Sequence, residues 1–403
     1  MPRFARPRGR GRDHGRREAR QLTPPLPNQR ALFGIPDDLA YLNWASLAAL
    51  ITPVREAGEQ ALARRAQPWT IGAADWFEGA ERLRGLCARL LGADADGVAL
   101  VPATSYGLAT AARNIDSAGR DRVLMVADDF PSSVHTWRAW ADRHDAEVVA
   151  VRPGASQTWT DALLPALDER VRLVSVPNVH WTDGAIVDLA RVGERAREVG
   201  ALFVIDASQS LGAMPLDASG LRPDYLVAAG YKWLLGPLSI AYLFVAQEHR
   251  AGRPLEQNWI NRAGAEDFAG LTAYAGEYRP GARRFDVGQR TNFELVPMAI
   301  AALEQLLEWG VGNIAATLAE WTGRIEHQAR ERGLDPLPAG RRGPHMLGLS
   351  VPPERRTTIA DELADANVHV AMRGPSMRVS PHLHVTDADV ERLFAALDRA
   401  LAQ

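Results

Sequence analysis

From Val98 to residue 245 the chain alternates short β-branched runs with helix-patterned stretches, and this alternation constrains the fold more than any other feature. Strands are expected at residues 98–101, 123–126, 147–151, 173–176, 202–205, 225–228 and 240–245. Helices are expected after Thr104 and around residues 137–144, 161–167 and 189–199. Such alternation favours a mainly parallel, seven-stranded sheet with helices on both faces. A long amphipathic helix is expected to follow Pro297, with Ile300, Leu303 and Leu307 on one stripe and Gly310 closing it. Beyond it, residues 346–351, 369–372 and 377–380 read as short strands, and Thr386-Asp-Ala-Asp389 opens a last helix with a capping-box pattern. The expected architecture is α/β: a large domain over residues 31–296, including the N-terminal segment, and a small C-terminal α+β domain over 297–403.

Residues 1–30 form an Arg/Gly-rich run followed by Thr23-Pro24-Pro25-Leu26-Pro27. They hold too little apolar material to fold, so a disordered tail is expected. Nucleic-acid binding by this tail is the sharper alternative, weighed against the fact that short basic runs are usually just solvated. A net charge of -3 gives no other reason to expect a nucleic acid or a membrane surface. Residues 226–246 are apolar enough to suggest a membrane span, but Lys232, Gly230 and Gly236-Pro237 interrupt them, so two buried strands joined by a loop are expected. The single cysteine, Cys87, excludes an intramolecular disulfide and any Cys-cluster metal site. It lies on a helical stripe with Leu83, Leu86 and Leu90, which reads as a buried structural thiol in a cytoplasmic protein.

Of 46 lysines and arginines, one is lysine: Lys232. Arginine-rich codon usage accounts for the arginines but not for the exception. Lysine alone offers a primary amine whose pKa can be lowered for attack on a carbonyl. Two further segments give this residue company. An apolar run, Leu202-Phe-Val-Ile-Asp206, places an aspartate at the carboxyl edge of the sheet, where open α/β folds bind ligands. A helix N-cap is the commoner use of such an aspartate. Upstream, Val98-Ala-Leu-Val-Pro-Ala-Thr104-Ser105 runs from a strand into a hydroxyl-rich helix start, which can hold a phosphate. Alone it is weak, because Ser and Thr cap most helices. An amine, a carboxylate and a phosphate anchor on one sheet edge match what pyridoxal 5'-phosphate (PLP) requires: a Schiff base and a partner for the ring nitrogen.

With these segments in hand the chain resembles the class V aminotransferase family of fold-type I PLP-dependent transferases. The matching blocks are Asp206-Ala-Ser-Gln209-Ser-Leu-Gly, Gly230-Tyr231-Lys232-Trp-Leu-Leu-Gly-Pro237, Tyr41-Leu42-Asn43, Arg284-Phe285-Asp286-x-Gly288 and Arg378-Val379-Ser380. The resemblance implies that Lys232 forms the Schiff base and later moves protons, that Asp206 pairs with the ring nitrogen, and that Gln209 bonds the ring oxygen. It implies phosphate contacts from Thr104, Ser105 and Tyr231, a ring from Phe130 over the cofactor, and a substrate carboxylate on Arg378. Core packing is an almost equal reading of Phe130, and Asn178 or His180, undecided between them, should approach the ring oxygen. It also implies a homodimer and an amino-acid substrate.

Departures narrow the reading. Ala229 stands where relatives often carry serine, and Gly288-Gln289 where many carry Gly-Thr, with Thr291 as a candidate substitute for that lost hydroxyl. Residues 370–378 hold no cysteine, which excludes a Cys-loop desulfurase. His382-x-His384 offers two ligands but no nearby third, so no metal site is expected, and pocket lining or surface histidines fit better. Transamination is the first expectation, with epimerisation or β-lyase chemistry as alternatives. A non-catalytic protein with a nucleic-acid-binding tail is the rival from another class.

Overall fold

A computed structural model describes residues 25–402. The elements, in order, are β1 (Ala40–Tyr41), α1 (Thr52–Arg65), α2 (Asp75–Leu91), β2 (Val98–Val101), α3 (Thr104–Asn114), β3 (Arg122–Val126), α4 (Pro131–His144), β4 (Glu147–Val151) and α5 (Trp159–Ala166). They continue with β5 (Val171–Pro177), α6 (Leu189–Glu198), β6 (Leu202–Asp206), α7 (Ala218–Leu221), β7 (Tyr225–Ala229), β8 (Ala241–Val245), α8 (Leu295–Trp309) and α9 (Val311–Glu331). The chain closes with β9 (Leu347–Ser350), α10 (Arg356–Asp365), β10 (Val368–His369), β11 (Ala371–Arg373), β12 (Ser376–Val379) and α11 (Asp387–Ala402).

Seven strands form one sheet in the order β2-β8-β7-β6-β5-β3-β4. Only β8 runs against the others, pairing antiparallel with β2 and β7. Strand residues alternate between two apolar layers as the pleat requires. Leu124, Val126, Val174, Phe203, Ile205, Leu226 and Tyr242 face a core built with α2, α5, α6 and α8. Val123, Met125, Leu173, Val204, Val227 and Leu243 face the core under α3 and α4. Gly107 lets α3 lie close on this second face, because a Cβ there would stand 2.7 Å from Val227 Cγ1. The apolar stretch at 226–246 is the β7–β8 pair, as expected, and no single helix among the described residues is long and apolar enough to cross a membrane. Cys87 is fully buried in the first core.

A second core gathers the later half of α9 with α10, α11 and the antiparallel sheet β11-β12-β9. Two boundaries differ from the sequence expectation. Ala40 and Leu42 join this smaller core, because β1 pairs parallel with β10 through Ala40↔Val368 and Tyr41↔His369. Helix α8 starts before Pro297, which is tolerated in a first turn whose N–H groups lack partners anyway, and it packs in the large core. The expected tail lies outside the described residues over positions 1–24. Residues 25–30 dock: the Leu26 N–H donates to Thr317 Oγ1 at 2.7 Å, and Arg30 pairs with Asp389 at 2.9 Å. The capping box at Thr386 and Asp389 forms.

The Arg284-Phe285-Asp286 block has a structural job. Asp286, fully buried, pairs with fully buried Arg84 at 2.7 Å and accepts the Leu100 N–H at 2.7 Å, fixing the segment after β8 against β2.

Candidate active site

The carboxyl ends of β3, β5, β6 and β7 and the start of α3 meet at one cleft. Thr104, Asp129, Phe130, Pro177, Val179, Trp181, Asp206, Ser208, Gln209, Ala229, Tyr231 and Lys232 line it. Six of the residues expected from sequence are thus brought together.

Lys232 lies in the turn between β7 and β8, held by the Gly230 N–H to Ile240 O bond (2.9 Å) and the Gly236 N–H to Gly230 O bond (2.8 Å). Only glycine fits at 230, because a Cβ would come 2.5 Å from Ile240 O. The Lys232 side chain is 7% exposed and makes no hydrogen bond or ion pair among the described residues. Its Nζ stands 5.3 Å from the Phe130 ring centre and 5.6 Å from that of Tyr231. Burial pulls its pKa down to about 8; Asp206 resists, while Arg378 and Arg373 assist.

Asp206 ends β6. Its Oδ1 accepts the Ser208 N–H at 2.8 Å, and its other oxygen has no hydrogen bond among the described residues. Gln209 is oriented at both ends of its amide: Nε2 donates to Ala45 O at 3.1 Å, and Oε1 accepts from Trp233 Nε1 at 2.9 Å. One N–H of that amide remains to give. Helix α3 begins after Ala103 with no side-chain cap, and Thr104 at its start lines the cleft; Ser105 sits exposed in the same turn.

Other expected residues sit elsewhere. Pro177, Val179 and Trp181 line the cleft, whereas Asn178 and His180 do not. His180 stacks on Trp159 with centres 4.8 Å apart, and its two nitrogens meet Thr182 Oγ1 at 2.8 Å and Ala127 O at 3.2 Å. Burial opposes its charged form, but Asp183, the Ala127 carbonyl and Asp129 outweigh it, so its pKa is raised. The Thr291 hydroxyl donates to Trp76 O at 2.8 Å, and the residue lines a different cavity beside α1. His382 and His384 are neither pocket-lining nor on the surface. Both are buried, in an aromatic cluster with Phe33 and Trp44, and burial lowers their pKa values, that of His384 to about 4.

Three residues of the cleft, and a fourth beside Arg378, escaped sequence reasoning. Asp129, before Phe130, is 6% exposed; its Oδ1 accepts the Phe130 N–H at 2.7 Å and its Oδ2 is buried without a partner. Burial and the Asp206 charge push its pKa up to about 7, against the pull of the Phe130 N–H, His180 and Ser133. Ser208 accepts the Ala229 N–H at 3.1 Å, so a hydroxyl stands beside the position that lacks serine. Trp181 presents its ring edge-on to Phe130 at 5.6 Å. Ser46 accepts from Arg378 at 2.7 Å and from Arg373 at 3.2 Å, and the Arg378 Nη1 donates to Trp181 O at 2.6 Å. The flanking motif was a usable signal for Asp129 and Ser208; Ser46 carried none.

The chain is similar to several known proteins. A family model described as Aminotransferase class-V matches residues 70–393. The "Uncharacterized aminotransferase YcbU" of Bacillus subtilis (strain 168) is 30% identical over 94% of this chain and 98% of that protein. The kynureninase of Deinococcus radiodurans is 32% identical over 67% of this chain and 66% of that protein. Among solved structures, a C-DES mutant described with glycine covalently linked to its PLP cofactor superposes with a TM-score of 0.82 at 19% identity, covering 93% of this chain and 99% of that one. The chain belongs to the aminotransferase class-V family.

Proposed function

We propose that this chain is a PLP-dependent enzyme that transaminates an amino acid, with Lys232 carrying the cofactor. The observation that carries the reading is that the chain's sole lysine and the strand-end Asp206 line one cleft. The residues present fit the group: a buried amine without a partner, a free carboxylate oxygen, a spare amide N–H on Gln209 and an uncapped helix N-terminus. When bound, PLP supplies an electron sink for a bond broken at the substrate Cα.

The chain's own residues do the rest. Asp206 would keep a proton on the ring nitrogen, and the start of α3 with Thr104 and Ser105 would hold the phosphate, with a contact from Tyr231. Phe130 would cover one face of the ring. Lys232, poised by burial near neutral pH, moves a proton at Cα. Arg378 takes the substrate α-carboxylate, a match for its planar fork. Transamination is favoured over epimerisation or elimination because the relative matched along 98% of its length is named as an aminotransferase. A homodimer belongs to the same reading, supported by the exposure of Leu62, Trp69 and Tyr274 at 62%, 79% and 87%. The test is the half-reaction. An amino acid alone should convert the cofactor to its amine form, and a 2-oxo acid should restore it. Racemisation or elimination without that exchange would replace transamination by one of the other chemistries.

A further inference from the structure

Four arginines are buried in the described structure: Arg84, Arg290, Arg342 and Arg378. Arg84 and Arg290 share Asp286, and Arg342 has Glu326 at 2.8 Å. Arg378, 1% exposed, has no carboxylate among the described residues, and its Nε is buried without a hydrogen bond. A buried guanidinium without an anion costs free energy unless a ligand supplies one.

A second guanidinium adds to the imbalance. In the β11–β12 register Ala371 faces Arg378 and Arg373 faces Ser376, so the two arginines are diagonal neighbours on one face of the sheet. Both reach the same acceptor, Ser46 Oγ. Arg373 also lies over the Trp181 ring at 5.7 Å, and that indole is fixed by its Nε1 donating to Asp128 O at 2.7 Å. Arg373, too, forms no ion pair among the described residues. Burial and the Arg373 charge bring the pKa of Arg378 down to about 9, and both guanidiniums weigh on Lys232. One substrate carboxylate neutralises one of these two charges. The other remains unanswered.

The geometry points to a substrate with two anionic arms, an amino acid whose α-carboxylate meets Arg378 and whose side-chain carboxylate meets Arg373. This specificity rests on the amino-acid reading proposed above. It sets Arg373 as the residue that distinguishes acidic amino acids from their neutral isosteres, because only a carboxylate repays desolvation of the second guanidinium.

The test is an absorbance titration of the PLP-loaded protein with glutamate against glutamine and aspartate against asparagine. The wild type should prefer each acid over its amide. Arg373→Gln should cut that preference by roughly ten- to a hundred-fold, the range of a charge-assisted hydrogen bond, and Arg373→Lys should retain part of it. Thermal melting checks that the variants fold. Equal binding of acid and amide by the wild type, or a uniform loss for both in Arg373→Gln, overturns the inference. A loaded protein whose band no amino acid moves overturns the amino-acid reading itself.

Discussion

The indole N–H of Trp233 donates to Oε1 of Gln209 at 2.9 Å, tying the residue after the lone lysine to the turn that follows Asp206. The His345 ring completes the brace by donating from Nε2 to Gln209 O at 2.6 Å. Two strand ends that are distant in sequence are thereby held as one unit around the cleft.

Breaking this brace should loosen the site. Trp233→Phe leaves Gln209 Oε1 buried and unsatisfied, a loss of about 1–3 kcal/mol. Urea unfolding should show that loss, and the variant should retain cofactor less well on dialysis.

Asp129 gives a pH signature. Its folded pKa of about 7 lies above an unfolded carboxyl near ~3.9. Below the unfolded value both states are protonated and the group contributes nothing. Between the two values the unfolded chain releases a proton that the folded chain keeps, so stability falls as pH rises and levels off above the folded pKa. Asp129→Asn removes this cost. Its stability relative to wild type should rise from pH 4 to pH 7, by on the order of 2–4 kcal/mol. A difference that stays flat with pH would show that folding leaves the pKa of the Asp129 carboxyl unshifted.

The Arg84–Asp286 pair should be costly to break from one side. Asp286→Ala strips the shared carboxylate from buried Arg84 and Arg290, leaving Arg84 only its longer contact with Glu81 at 3.4 Å, and is expected to lose about 3–5 kcal/mol, measured by chemical denaturation.

The lone lysine allows a chemical check. In cofactor-free protein an amine-reactive acyl reagent should modify Lys232 with a midpoint near its lowered pKa of about 8. Peptide mass spectrometry across pH reads this directly, since Lys232 has the only lysine side chain.

The sheet was legible because most of its strands are short apolar runs buried on both faces, a pattern that survives without tertiary information. Expected and observed ends agree to within about two residues, with β2 and β4 matched at both ends. The lysine, the aspartate and the hydroxyl-rich helix start were legible because each sits at a strand end, where direction and position are fixed by the sheet. What sequence hid was decided across the chain. The burial of His382 and His384 depends on Trp44 and Phe33, more than 300 residues upstream. The docking of β1 depends on its pairing with β10. The lack of a carboxylate beside Arg378 is visible only once the carboxylates of the described residues have been placed.

The most direct test of the account is the visible spectrum of purified protein after incubation with PLP, before and after borohydride reduction, in wild type and Lys232→Ala. The account predicts a yellow band in the wild type that reduction fixes covalently to Lys232, with no such adduct in the variant. A wild type that stays colourless, or cofactor fixed elsewhere than Lys232, would contradict it.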